Sequence, residues 1–164
     1  MNTVIKSSDL TIGIDIGGTK ISAGVVDSSG NIIDSLRIST PAEGGKELIL
    51  AVINLIKELK EKHEIKGIGI SIAALISSDY GTIVGAPNIA NLSKLNFVNE
   101  IKAEFKLPVV VENDANSAMW AEFKFGNAKG LNPVMFFIIG TGVGGGLVID
   151  GKLFKGANGI GAEF

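Results

Sequence analysis

Two glycine–threonine turns, each at the end of an apolar strand pattern, most constrain what this chain can fold into. The first is the run Ile14–Lys20 (IDIGGTK), and the second is the run Gly140–Gly146 (GTGVGGG). Each turn combines backbone N–H groups that no side chain screens with a threonine hydroxyl, and such groups can hold phosphate oxygens. Because most of the chain separates the two turns, they predict a nucleotide phosphate held between two lobes.

The order of strand and helix patterns predicts an α/β fold. Three strand patterns, at 10–16, 21–26 and 32–38, precede a helix at 46–62 whose apolar residues recur at helical spacing. Strands and helices then alternate, and a mixed sheet covered by helices is the expected packing of such a pattern. The later strands are predicted at 66–72, 75–86, 109–111, 134–139, 147–149 and 152–154, and the later helices at 97–105 and 115–125.

The segment from Val134 onward repeats the opening of the chain, as strand, glycine–threonine turn, strand, Asp-Gly turn and strand. A duplication whose second copy is cut short predicts one complete lobe over residues 1–128 and the start of another over residues 129–164. The charge-free run Pro133–Ile149 is shorter than the roughly 20 apolar residues of a membrane span. It also contains the glycine turn, so it predicts two strands.

Composition argues against several classes of function. The net charge is −2 and there is no long basic run, so neither nucleic acid nor an anionic membrane is an expected partner. The chain has no cysteine, which excludes disulfides and thiolate metal sites within these residues. Residues 1–9 lack the apolar core of a signal peptide, so a soluble cytoplasmic protein is expected.

Polar residues at strand ends are the candidates for chemistry, and each has an ordinary structural explanation beside a functional one. Asp15 can bind Mg²⁺ directly or through water, or it can be a solvated residue of a hairpin turn. Asp114 can be the N-cap of the following helix or a general base, with Asn113 bonding a polyol. Asn88 can reach a sugar hydroxyl or serve as a turn asparagine. His63, the only histidine, is predicted to be a solvated helix end.

The second turn also matches the dinucleotide pattern G-x-G-x-x-G at Gly140, Gly142 and Gly145. That pattern needs a helix directly after the turn, whereas the residues that follow here have a strand pattern. The P-loop signature is absent from the sequence as well. A Rossmann or P-loop nucleotide site is therefore not expected.

Three of these motifs together resemble the ROK family, which groups microbial sugar kinases with related repressors. The run Ile12–Lys20 resembles the first phosphate motif of the family, and Glu112–Asn116 resembles its sugar and catalytic motif. The run Gly140–Gly146, followed by Asp150–Leu153, resembles its second phosphate motif. The resemblance extends from about Thr11 to Phe164. It implies an α/β fold of the actin-like, ribonuclease-H-like type, in which a mixed sheet is flanked by helices in each of two lobes.

The resemblance implies an ATP-dependent hexose kinase that transfers the γ-phosphate to a sugar hydroxyl. Asp114 matches the family's catalytic base, and Mg²⁺ is expected near Asp15. The residues that match sugar-binding positions are Asn88, Asn113, Asp114 and Glu163. The residues that match the phosphate grips are Asp15, Gly17, Gly18, Thr19, Lys20, Thr141, Gly142 and Gly144.

The sequence leaves alternatives open for the sugar substrate and for the class of protein. The chain departs from the family's pattern at Ser71–Ala74, where Pro-Gly is common, and at Ile89–Ser93, so N-acetylmannosamine or N-acetylglucosamine competes with glucose as substrate. A sugar-responsive repressor would carry a helix-turn-helix before the first strand, and an actin-like or chaperone ATPase would not need the pair Asn113-Asp114. A non-catalytic sugar-binding regulator is a further alternative.

The resemblance also implies features outside these residues. The family's zinc motif and the adenine-binding part would lie beyond Phe164, and the full-length protein is expected to be a homodimer or homotetramer. Half of the nucleotide site would then be missing from the isolated chain, so its inactivity would not contradict a sugar kinase.

Overall fold

The structure is a computed structural model, and it describes residues 9–77, 81–139, 143–159 and 161. In chain order the elements are β1 (Leu10–Ile16), β2 (Lys20–Val26), β3 (Ile32–Ser39), α1 (Gly45–Lys62), β4 (Ile65–Ile72), β5 (Leu75–Ile76), β6 (Ile83–Gly85), α2 (Phe97–Phe105), β7 (Val109–Asn113), α3 (Asp114–Phe125), β8 (Val134–Ile139), β9 (Val143–Ile149) and β10 (Lys152–Leu153).

The main sheet has five strands in the order β3-β2-β1-β4-β7. The first three strands pair antiparallel through short turns, while β4 and β7 add in parallel beside β1. The parallel pairs need long crossovers, and α1 and α2 lie within them. The expected mixed sheet is therefore confirmed.

One face of this sheet is covered by α1 and α2. The apolar stripe of α1 includes Leu48, Val52 and Leu59, which are fully buried in one core with the inward-facing residues of β1 and β2. Phe97 and Ile101 of α2 complete the same core. Lys60 and Lys62 in the last turn of α1 are placed favourably for the negative end of the helix dipole.

A separate three-stranded sheet, in the order β10-β9-β8, packs on α3. Met119 of α3 and Val148 of β9 are fully buried in this contact. The prediction that β9 starts at Leu147 is wrong, because the strand already begins at Val143, where it pairs with Ile139. Glycines carry no side-chain alternation, so the sequence pattern could not show this part of the strand.

The helices and the remaining strands keep close to their predicted bounds. The predicted strand region 75–86 contains only the short strands β5 and β6, and residues 78–80 between them lie outside the described residues. Within the described ranges, none of the helices is both long enough and apolar enough to cross a membrane.

Candidate functional site

The parallel strands of the main sheet end together, and this edge collects the residues of the candidate site. Ile16 of β1, Ile72 of β4 and Asn113 of β7 lie in one row of paired residues across the sheet. The backbone N–H of Ala73 donates to the carbonyl of Ile16 at 3.2 Å, which holds the loop after β4 against the end of β1. The first glycine turn and Asp114 follow this row directly, so both emerge at the same edge.

The first glycine turn is shaped by two hydrogen bonds that involve Gly17. Its N–H donates to the carbonyl of Lys20 at 3.0 Å, and its carbonyl accepts from the hydroxyl of Thr40 at 2.7 Å. Lys20 begins β2, so the turn is also a hairpin. Because the N–H of Gly17 is engaged there, the exposed Gly18 and Thr19 carry the donors that the turn can offer to an anion.

Gly18 lies directly against the backbone of Asn88. A Cβ atom at Gly18 would stand 2.8 Å from the carbonyl oxygen of Asn88 and 3.3 Å from its Cβ. Glycine is therefore required here by close approach, independently of any need for hairpin flexibility. The contact places the expected sugar residue Asn88, which is exposed, beside the expected phosphate turn.

The loop that carries Asn88 is tied on its other side to the start of α1. The carbonyl of Ala90 accepts from the N–H of Gly45 at 3.1 Å, and the side-chain amide of Asn91 donates to the carbonyl of Glu43 at 2.9 Å. These bonds satisfy backbone groups at a helix N-terminus. The loop is thus attached to the glycine turn at Asn88 and to the start of α1 at Ala90 and Asn91.

The junction of β7 and α3 assigns different tasks to Asn113 and Asp114. The alternative that Asp114 is the N-cap is wrong, because Asn113 takes that place: its Oδ1 accepts from the N–H of Asn116 at 3.0 Å. The Nδ2 of Asn113 also donates to the carbonyl of Ala74 at 3.3 Å, and its side chain is buried. A carboxamide has two donors and two lone pairs, so Asn113 keeps one of each for a ligand.

Asp114 is the exposed first residue of α3. Its Oδ1 accepts from the N–H of Ala115 at 3.0 Å, which orients the carboxylate. Oδ2 remains for a substrate. A carboxylate held by one oxygen and open at the other can accept a proton from a hydroxyl group.

A row of polar side chains crosses the face of the main sheet opposite α1. Asp15, Ser71 and Glu112 are directly paired across β1, β4 and β7, so they share this face. The hydroxyl of Ser71 donates to Oδ1 of Asp15 at 3.1 Å.

Within the described part of the chain no group of three or more His, Cys, Asp or Glu side chains converges on a metal position. Mg²⁺ commonly binds through one or two carboxylates together with phosphates and water, a role that the exposed Asp15 fits.

Glu112 is bonded on both of its carboxylate oxygens. Oε1 accepts from the N–H of Asn113 at 3.1 Å and from Nδ2 of Asn116 at 3.3 Å, and Oε2 forms an ion pair with Lys155. Asn116 is 2% exposed, and its Oδ1 has no hydrogen-bond partner among the described residues, a loss of about 1–3 kcal/mol. The sequence analysis included Glu112 in the motif Glu112–Asn116 but assigned no role to its side chain. No feature of the sequence around Lys155 indicated that it pairs with Glu112.

The second glycine segment meets the first turn of α3. Gly144 lies in β9, and a Cβ there would stand 3.4 Å from the Cβ of Ala115. Gly144, which the sequence places in the phosphate loop, is therefore a residue of β9 beside Ala115, the residue that follows Asp114. Thr141, Gly142 and Glu163 lie outside the described residues.

His63 lies away from this edge, and the prediction that it is merely solvated is wrong. Its Nε2 stands 3.0 Å from Oδ2 of Asp34 in β3, and the two side chains are 20% and 29% exposed. The hydrogen bond from His63 lowers the pKa of Asp34 below its ordinary value. The pair connects the end of α1 to the edge of the sheet.

Comparison with known protein families identifies the family of this chain. The model of the ROK family matches residues 11–164. This chain belongs to the ROK family.

The curated relatives include a glucokinase from Streptomyces coelicolor, which is 43% identical over 155 residues; the match covers 94% of this chain and 48% of that protein. An N-acetylmannosamine kinase from Yersinia pseudotuberculosis is 35% identical over 149 residues, covering 91% and 50%. A crystal structure of a ROK family glucokinase from Streptomyces griseus in complex with glucose and AMPPNP superposes with a TM-score of 0.86 at 40% identity, covering 94% of this chain and 49% of that one. The chain spans about half the length of the curated relatives it matches.

Proposed function

We propose that this chain supplies the sugar-binding and catalytic half of an ATP-dependent hexose kinase. One observation carries the proposal: the glycine turn at Gly18, the loop of Asn88 and the carboxylate of Asp114 all emerge at the edge where β1, β4 and β7 end. The glucokinase relatives favour glucose as the acceptor. The boundary near residue 128 is part of the proposal, with residues 129–164 beginning a second lobe.

In the proposed reaction Asp114 acts as general base. Oδ1 is held by the N–H of Ala115, so Oδ2 faces the acceptor and takes the proton from a sugar hydroxyl. The hydroxyl oxygen then bonds to the γ-phosphorus of ATP as the bond from that phosphorus to the departing ADP oxygen breaks. A positioned base of this kind contributes about 10²–10⁴-fold to the rate.

The other residues bind and orient. Asn113 and Asn88 bond sugar hydroxyls with the donors and acceptors that they keep, and Gly18 and Thr19 direct N–H and hydroxyl donors at phosphate oxygens. Asp15, which is oriented by Ser71, holds Mg²⁺ directly or through water. The metal, when bound, neutralises charge on the transferring phosphate.

The test is a phosphorylation assay on the protein expressed from its complete reading frame, with ATP, Mg²⁺ and a panel of glucose, N-acetylmannosamine and N-acetylglucosamine. We expect ADP release with glucose and its loss in Asp114→Ala. Preference for N-acetylmannosamine would favour the second candidate, which the Yersinia relative supports. If no sugar raised ADP release above that of Asp114→Ala, the proposal would be rejected and a non-catalytic sugar-binding regulator would take its place.

A further inference from the structure

We propose that the ion pair between Lys155 and Glu112 is a positioning device that aligns Asp114 with the second sheet; this rests on the proposed function. Lys155 follows β10, whereas Glu112 belongs to β7, the edge strand of the main sheet. The pair therefore connects the two sheets next to the residue to which we assign the proton transfer.

The ion pair is partly buried and closely engaged. The side chains of Lys155 and Glu112 are only 20% and 19% exposed, so water compensates either charge poorly if the other is removed. The carbonyl of Lys155 also accepts from the N–H of Gly161 at 2.8 Å, which closes the turn that follows β10. Lys155 is thus held at its backbone as well as at its side chain.

Glu112 passes this constraint to the first turn of α3. Its Oε1 accepts from the N–H of Asn113 and from Nδ2 of Asn116, the two residues whose mutual hydrogen bond caps the helix. The amide of Asn116 turns its Nδ2 toward Glu112 even though its buried Oδ1 is left without a partner among the described residues. The orientation of Glu112 therefore decides the orientation of the cap, and Asp114 stands between the two cap residues in the chain.

Removal of the cation is expected to act on the chemical step more than on nucleotide binding. Without Lys155, the carboxylate of Glu112 gains by turning to water, and the cap then loses the two hydrogen bonds that Asn113 and Asn116 donate to Oε1. Displacements of about 1 Å at reacting groups cost about 100-fold in rate. For Lys155→Met we expect kcat to fall by about 10- to 100-fold, with the KM for ATP unchanged.

The experiment compares five variants of the protein expressed from its complete reading frame: Lys155→Met, Lys129→Met, Lys155→Arg, Glu112→Gln and the double variant K155M/E112Q. Lys129→Met is the matched control, because Lys129 lies exposed in the turn after α3 and its loss changes the net charge equally. Lys155→Arg should restore kcat, because a guanidinium reaches the same carboxylate. The double variant K155M/E112Q should fall no further than the more impaired of its two single variants, since both single variants break the same ion pair.

A kcat of Lys155→Met equal to that of Lys129→Met, or multiplicative losses in the double variant, would overturn the proposal. Amide hydrogen exchange separates this failure from a failure of the kinase assignment, because it needs no activity. In Lys155→Met the N–H of Asn116 should exchange faster than in Lys129→Met. Equal exchange in both variants would refute the positioning role whatever reaction the protein catalyses.

Discussion

Substitution of Gly18 by alanine tests whether the glycine turn and the loop of Asn88 form one rigid unit. The new Cβ would lie 2.8 Å from the carbonyl oxygen of Asn88, whereas ordinary contacts begin at 3.4 Å. The two loops must therefore separate by about 0.6 Å. The neighbour is backbone, so no side-chain rotation can relieve the contact.

This separation has two measurable consequences. Overpacking of this kind costs about 1–3 kcal/mol of unfolding free energy, and each kcal/mol lowers Tm by roughly 2–4 °C in a chain of this size. If displacements near 1 Å cost about 100-fold, an opening of about 0.6 Å should lower kcat/KM for the sugar by about tenfold. Scanning calorimetry on the chain measures the first effect, and coupled ADP-release kinetics on the protein from its complete reading frame measures the second.

Gly17→Ala is the control for Gly18→Ala. The two glycines are adjacent in the same turn, but a Cβ at Gly17 would meet only the carbonyl oxygen of Lys20, at an ordinary 3.4 Å. We expect Gly17→Ala to retain a Tm close to that of the unsubstituted chain. Equal losses in the two variants would show that hairpin flexibility matters and that the contact with Asn88 does not.

Three further substitutions test other parts of the structure. Asp114→Ala should lower kcat by about 10²–10⁴-fold while part of the sugar affinity remains in calorimetric titration; wild-type turnover would contradict the role of base. Gly146→Ala would bring a Cβ to 2.7 Å from that of Met119, so urea unfolding should show a loss of about 1–3 kcal/mol; an unchanged midpoint would exclude tight packing there. The pKa of Asp34 is lowered by His63, so its contribution to stability is present above the unfolded value of about 3.9 and is lost as the pH falls through the lower folded value. Asp34→Asn should therefore flatten the acid limb of the pH–stability profile, and an unchanged limb would refute the linkage.

The elements that could be predicted from the sequence are those whose side-chain period is unambiguous. The helix predicted at Lys46–Lys62 is observed as Gly45–Lys62. Its large apolar residues recur at helical spacing, so only a helix places all of them on the one face that packs against the sheet. The fold class and the mixed sheet are confirmed for the same reason. The internal repeat and the family resemblance both predict two lobes, and the division near residue 128 stays a prediction.

The choice of helix cap could not be predicted, because two competent residues stand side by side. Asn113 and Asp114 both favour the N-cap position, and neither local spacing nor helix propensity separates them. The choice depends on where β7 stops pairing with β4, at the contact of Ile72 with Asn113. That register belongs to the assembled sheet, so the cap and the freed carboxylate of Asp114 appear only in the structure.

Ion pairs between residues far apart in the sequence could not be predicted either. Lys155 and Glu112 are separated along the chain by α3 and the second sheet, and each looks like an ordinary charged residue in its own segment. The same holds for His63 and Asp34, which α1 brings to one side of the sheet. In each pair the role of a charged side chain depends on which residue it pairs with. That partner is determined by how the apolar core packs the elements together.

The hairpin at Gly17 limits how the first turn can bind phosphate. A bare GGT turn suggests that both glycine N–H groups face the ligand, but that of Gly17 closes the hairpin onto the carbonyl of Lys20. An anion at this turn must therefore use Gly18 and Thr19. Because Gly18 also contacts the backbone of Asn88, a movement of the turn on ligand binding must move the loop of Asn88 as well. Binding of phosphate at the turn would therefore shift the expected sugar-binding residue through this backbone contact.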